Sequence, residues 1–212
     1  MLGTAASHEQ RHGYHQVSIE HELTIVDAQA LTIQTRHTFQ IKAFRSLRFF
    51  ERIYVWTGSG IEKDPIIASG KDELGHARHK LHGPVIHQGE QRLYLIDLGR
   101  MLEDGDEEIV EMEQLFIDID KTFQPFLGQT IRAGCEEIDL KVNLPSECAW
   151  SVHASVGPAG SSEPSRIEKA EGAPRMVHGI ADDRFVQFRL HVKKPEQQLN
   201  YRLEWSRADV GK

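Results

Sequence analysis

The sequence alternates apolar and polar side chains most clearly at Leu31, Ile33, Thr35, His37, Phe39, Ile41 and Ala43, set against Thr32, Gln34, Arg36, Thr38, Gln40 and Lys42. A strand turns successive side chains to opposite faces, so this stretch predicts one long, half-buried β-strand. The pattern returns at Ile138, Leu140, Val142 and Leu144, at Trp150, Val152, Ala154 and Val156, at Val186, Phe188, Leu190 and Val192, and at Tyr201, Leu203 and Trp205. Together these segments predict an all-β protein, an antiparallel two-sheet β-sandwich with little helix. The sets Tyr201, Leu203, Trp205 and Ile138, Leu140, Val142 each lie between charged neighbours. Both therefore present one apolar face to be covered, and are expected in a single core with Trp205 largely buried.

Turn chemistry divides the rest of the chain. Val17, Ile19, Leu23 and Ile25 predict a first strand, joined to the strand from Leu31 by a turn at Asp27, Ala28 and Gln29. Residues 47–56 are apolar on both faces of the pleat, as in a strand covered on both sides or lying beside a partner surface. Residues 71–82 are polar and read as a short helix or an exposed loop. Short strands are expected at 84–87, 92–98 and 108–119, the last two separated by a turn at Glu103, Asp104, Gly105 and Asp106. Residues 121–130, broken by Pro125 and Gly128, predict a crossover between two groups of strands. The Gly-, Pro-, Ser- and Glu-rich stretch 157–174 reads as a long loop on the sandwich. The expected organisation is a mobile leader at 1–16, one β-sandwich domain at 17–206 and a polar tail at 207–212.

Composition narrows the function classes. An apolar content of 39% suffices for a core without metals or disulfides, and a net charge of −7 argues against general affinity for nucleic acid or anionic lipid. No apolar run is long enough for a secretory signal or a membrane span, which gives the expectation of a cytoplasmic protein. Cys135 and Cys148 are too few for a disulfide scaffold and too widely spaced for a metal-binding pair. They read as two thiols, with a redox pair as the alternative.

Candidate chemistry is sparse, and no cofactor is implied. His76, His79 and His82 recur at three-residue intervals, and on a helix His76 and His79 would share a face, so the three are candidate transition-metal ligands. The chain has no His-x-His pair of the kind that places two ligands on one side of a jelly-roll strand. His37 shares a strand face with Ile33, Phe39 and Ile41, which makes it either a satisfied core imidazole or a ligand-contacting, pH-responsive one. Phe50, Tyr54 and Trp56 fall on one face of the 47–56 strand and Phe49 on the other. They form a binding patch for a partner or apolar ligand unless a second layer covers them. The nucleophile elbow, the dinucleotide fingerprint and the phosphate-binding loop are absent. The acidic run Glu103, Asp104, Asp106, Glu107 and Glu108 lacks the ligand spacing of a calcium loop and reads as solvated.

Pro125, Gly128, Gln129 and Thr130, the run Leu140, Val142, Leu144 and Pro145 with Trp150 after it, and the closing Tyr201 to Trp205 carry a resemblance. Thr35, Arg36, His37 and Thr38 in the opening hairpin add to it. Over residues 17–206 the chain resembles the C-terminal β-rich, non-DNA-binding domain of actinobacterial helix-turn-helix regulators of the Xre type. The DNA-binding helices of those regulators have no counterpart in the polar leader. The resemblance implies a sensing or interaction domain and transfers neither DNA binding nor catalytic residues. The leading expectation is thus a non-catalytic module, in a bacterial regulatory or defence-linked setting, that binds a small ligand or a protein partner. Two rivals stand beside it: a metal-dependent jelly-roll enzyme using His76, His79 and His82, and a structural subunit docking through an edge strand.

Overall fold

The computed structural model describes residues 13–208 apart from 28, 30, 72, 133 and 161–163, and among these there are fifteen strands and no helix. In chain order they are β1 (Tyr14–Asp27), β2 (Thr32–Ala43), β3 (Leu47–Val55), β4 (Gly60–Glu62), β5 (Ile66–Ile67), β6 (Lys80–Gln88), β7 (Gln91–Leu102) and β8 (Glu107–Asp118). There follow β9 (Phe126–Thr130), β10 (Cys135–Pro145), β11 (Trp150–Pro158), β12 (Arg166–Lys169), β13 (Gly172–Val177), β14 (Ile180–Lys193) and β15 (Leu199–Arg207). They form three sheets. The widest runs β13-β14-β10-β1-β2-β8-β4 with β5 also on β8, the second runs β12-β11-β15-β9, and the third runs β3-β7-β6.

The all-β architecture predicted from the alternation is present, with more sheets than the two expected and with one parallel ladder. β1 pairs β10 in parallel, Ile19 beside Ile138 and Leu23 beside Val142, whereas every other ladder is antiparallel. β10 is buried on both faces, as parallel-paired strands usually are. Its far face carries Asp139 and Asn143, and both are satisfied. Arg189 donates two hydrogen bonds to Asp139 at 2.6 and 2.8 Å, and Asn143 donates to Glu22 and Thr24 and accepts from Gln187.

One apolar cluster runs from Tyr14 to Trp205 and draws on all three sheets. It contains Tyr201, Leu203 and Trp205 together with Ile138, Leu140 and Val142, and Trp205 is 5% exposed, as the alternation predicted. Two readings need correction. Residues 14–16, assigned to the leader, belong to β1, with Tyr14 buried against Phe50 at 5.3 Å; the rest of the leader, 1–12, lies outside the described residues. The stretch 157–174 contains β12 and enters β13. Almost every residue of both strands is exposed, so no core face imposed an alternation on their sequence. No helix among the described residues is long and apolar enough to cross a membrane.

A candidate ligand-binding cleft

Cross-strand register determines what faces the interior of the widest sheet. Direct partners in a ladder share a face, so Leu190, Leu140, His21, His37 and Met112 form one continuous row across β14, β10, β1, β2 and β8. The adjacent row is Phe188, Val142, Leu23, Thr35 and Gln114. The inner face is therefore apolar at its β14 side and interrupted by His21, His37, Thr35 and Gln114 near β2. The imidazoles of His21 and His37 meet edge to face at 4.5 Å.

β3 lies over this polar patch. Its alternation turns Phe50, Arg52, Tyr54 and Trp56 inward, while Phe49 and Val55 remain 46% and 57% exposed. The strand is thus covered on one face only. Phe50 packs on Phe39 at 5.2 Å, and Trp56 stacks on Phe116 at 4.3 Å and on Phe123 at 5.3 Å; Phe123 in turn reaches Trp205. Gly58 has no side chain to displace the Trp56 indole, which occupies the place of its Cβ. Phe123 is held by Asp118, fully buried, whose carboxylate accepts from the Ser59 and Phe123 amides at 2.7 Å each.

Between these layers opens a cleft of about 990 Å³. Its walls come from β1, β2, β3, β8 and β9 and the start of β15, and the predicted residues His37, Phe50, Tyr54 and Trp56 all line it. The structure thus brings the four together. It also adds His21, Thr35 and Arg52, which the sequence reading passed over. Arg52 stood in a run read only for its aromatics, and His21 has glutamate on either side and reads as surface until the register is known.

The polar chemistry of this wall is incomplete. Among the described residues seven buried side-chain nitrogen or oxygen atoms have no hydrogen-bond partner. Four of them, His21 Nε2, Thr35 Oγ1, His37 Nδ1 and Arg52 Nε, belong to residues that line this one cleft. An unpaired buried polar group costs about 1–3 kcal/mol, so four of them around one cleft call for a partner, water or ligand. Arg52 donates to the Ile53 carbonyl at 2.6 Å and lies 5.1 Å over the Phe39 ring, and the structure records no salt bridge between it and a carboxylate of the described residues. Burial lowers its pKa to about 10. Burial, and then the Arg52 charge, hold His21 and His37 well below the usual imidazole range, so both are neutral at pH 7. Arg52→Met is therefore expected to stabilise the protein by about 1–2 kcal/mol. A rise in melting temperature by calorimetry checks this, whereas a fall would show the guanidinium to be well satisfied.

At the β8 side the cleft is anchored rather than open-handed. Tyr54 donates its hydroxyl to Glu62, which also pairs with Arg92 at 3.1 Å, and Gln114 donates to the Tyr54 oxygen and the Lys63 carbonyl at 2.9 Å each. Burial and the Glu62 contact raise the Tyr54 pKa, so its proton stays in place. Of the predicted patch, Tyr54 is a fixed wall, and His37 is the member with an unused atom.

The three-histidine reading does not assemble. Residues 73–75 form a turn, with Gly75 at φ +80°, and Lys71 bridges to Ala77, so the helix that would align His76 and His79 does not form. His79 is 2% exposed and packs flat on Gly70, with Nδ1 3.1 Å from Ser69 Oγ and Nε2 3.8 Å from Glu108. His82 sits on β6 against Phe49, and His76 is exposed on the turn. Among the described residues no group of three His, Cys, Asp or Glu side chains is placed to hold a metal ion. Ser69, His79 and Glu108 share the residue types of a hydrolytic triad, but the Ser69 oxygen already accepts from the Glu111 amide at 2.7 Å. Ser69 also lies outside the cleft. Cys135 is buried and Cys148 half-buried, and both are free thiols.

No family model and no curated protein matches the sequence. Among solved structures the chain is similar to the M1 zinc metallopeptidase of Deinococcus radiodurans, with 9% identity, a TM-score of 0.47, and coverage of 91% of this chain and 42% of that one. It is similar to the same degree to a two-domain M1 zinc metallopeptidase bound to L-tryptophan, at 10% identity and a TM-score of 0.47, covering 43% of that chain. The chain spans less than half the length of these proteins, and a likeness this distant carries no argument about activity.

Proposed function

We propose that this protein is a non-catalytic binding module that takes a small organic ligand in the cleft between its sheets. The observation that carries the reading is that four residues lining a cavity of about 990 Å³ each hold a buried polar atom with no partner. Ligand sites are typically clefts of about 300–1,000 Å³, mostly apolar, with a few converging polar groups. Here the apolar part is supplied by Leu23, Ile33, Phe39, Phe50, Trp56 and Phe116. The regulator resemblance points the same way, toward a cytoplasmic sensing domain in a bacterial regulatory or defence-linked setting.

Screening a chemically mixed metabolite library by imidazole-detected NMR tests the proposal. Library members should shift the His21 and His37 resonances, and Thr35→Val, which removes one of the four unpartnered atoms with little change of shape, should weaken the binding while the melting temperature stays near that of the parent. Ordered waters satisfying all four atoms, with no library member perturbing either histidine, would overturn it.

A further inference from the structure

Resting on that reading, we infer that the ligand is an organic monoanion: a carboxylate on an apolar body, its carboxylate received by Arg52 beside the His21 and His37 pair. Three cationic or donor-capable groups surround a single ring. The Arg52 guanidinium lies 5.1 Å, the His21 ring 5.5 Å and the His37 ring 6.4 Å from Phe39. Arg52 is 9% exposed and remains a cation at neutral pH, with five N–H donors of which one is given to the Ile53 carbonyl. Its Nε faces no acceptor. A neutral ligand leaves that charge uncompensated, whereas a carboxylate meets the planar fork with two parallel hydrogen bonds. Thr35 Oγ1 adds a hydroxyl donor, and an imidazole adds an N–H in whichever tautomer the anion selects.

The count of charges selects the anion. Arg52 is the one buried arginine of the lining; Arg132 is exposed, and Arg202 is half-buried, with Glu204 at 3.6 Å and over Phe126. Glu51 also lines the cleft, and Glu62 is already paired with Arg92. A single negative charge neutralises Arg52, while a phosphate monoester dianion would bring a second that this wall does not match. The apolar part of the lining, Phe39, Phe50, Trp56, Phe116 and Leu23, offers dispersion contacts that suit an alkyl or aryl body.

Isothermal titration and imidazole NMR with hexanoate and phenylacetate, against hexanamide, phenylacetamide and phenyl phosphate, distinguish the cases. The carboxylates should bind about tenfold or more tighter than their amides, and Arg52→Gln should erase the difference, with Arg52→Lys restoring part of it. The tryptophan fluorescence and melting temperature of each variant establish that it is folded. Amides that bind as well as the acids would overturn the charge assignment and leave the binding function standing. Phenyl phosphate binding well above phenylacetate would overturn the carboxylate assignment. Failure of every probe to shift either histidine at millimolar concentration would overturn the inference, while the unbiased library decides the function separately.

Discussion

Trp205→Ala is expected to cost about 3–5 kcal/mol and to give poorly soluble protein. Trp205 is 5% exposed, pairs with Val152 across β11 and β15, and contacts Phe123, which bridges to Trp56 and the cleft. It also lines a second, smaller cavity of about 230 Å³ with Ile25, Leu31, Phe123, Pro125 and Trp150. Truncation therefore enlarges an existing void, and the cost of a large-to-small change rises with the cavity it leaves. Such a loss consumes much of the roughly 5–15 kcal/mol by which a domain is stable. Glu204→Ala, on the opposite face of the same strand and paired only at 3.6 Å with Arg202, is expected to be close to neutral. Chemical denaturation of the two variants measures both. Equal midpoints for Trp205→Ala and the parent would place the last strand outside the core.

Stability is expected to fall as the pH drops below about 6.5, well above the range in which carboxylates titrate. His21 and His37 have folded-state proton affinities depressed by burial and by Arg52, the charge that acts on them both. Below the unfolded-state pKa the unfolded chain binds protons that the native protein refuses, so acid favours unfolding. Each histidine contributes up to about 1.4 kcal/mol per pH unit down to its own folded pKa. His79, similarly lowered by burial, adds in the same direction. The depressed carboxyls of Asp97, Asp139 and Asp182 act in the same sense at lower pH, below the ordinary carboxylate value. The double variant His21→Leu with His37→Leu should flatten the slope between pH 4 and 6.5, as followed by urea midpoints across that range. An unchanged slope would mean that both imidazoles accept protons freely in the native state.

The alternation made the long strands legible because each has one face against the core. Ile33 to Ala43, Ile138 to Leu144 and Tyr201 to Trp205 had no other way to satisfy their apolar sets. It failed where burial is absent, at β12 and β13, and at 71–82 it left a short helix and an exposed loop both open, where the structure has an exposed turn and, from Lys80, the start of β6. The candidate site was half legible. His37 stood out as a polar position on the apolar face of β2, and Phe50, Tyr54 and Trp56 as aromatic positions of one parity in and just after β3. Arg52 and His21 did not, because their role depends on which strand lies opposite, and a parallel pairing between β1 and β10 is not visible in local sequence. Two inward positions were available as a signal: Arg52 shares the parity of Phe50 and Trp56, and His21 that of Ile19 and Leu23.

The parallel ladder also bears on how the chain reaches its fold during synthesis. Lys141 and Glu20, which meet at 2.7 Å, are 121 residues apart in sequence. At ribosomal speeds β10 emerges on the order of ten seconds after β1. Through that interval the β1–β2 hairpin carries an unpaired edge beside Ile19 and Leu23, the geometry that invites another chain to add a strand. Contacts of this sequence separation also close slowly once the chain is free. Yield in a cell is thus expected to follow the chaperone supply during those seconds more closely than the stability of the finished protein.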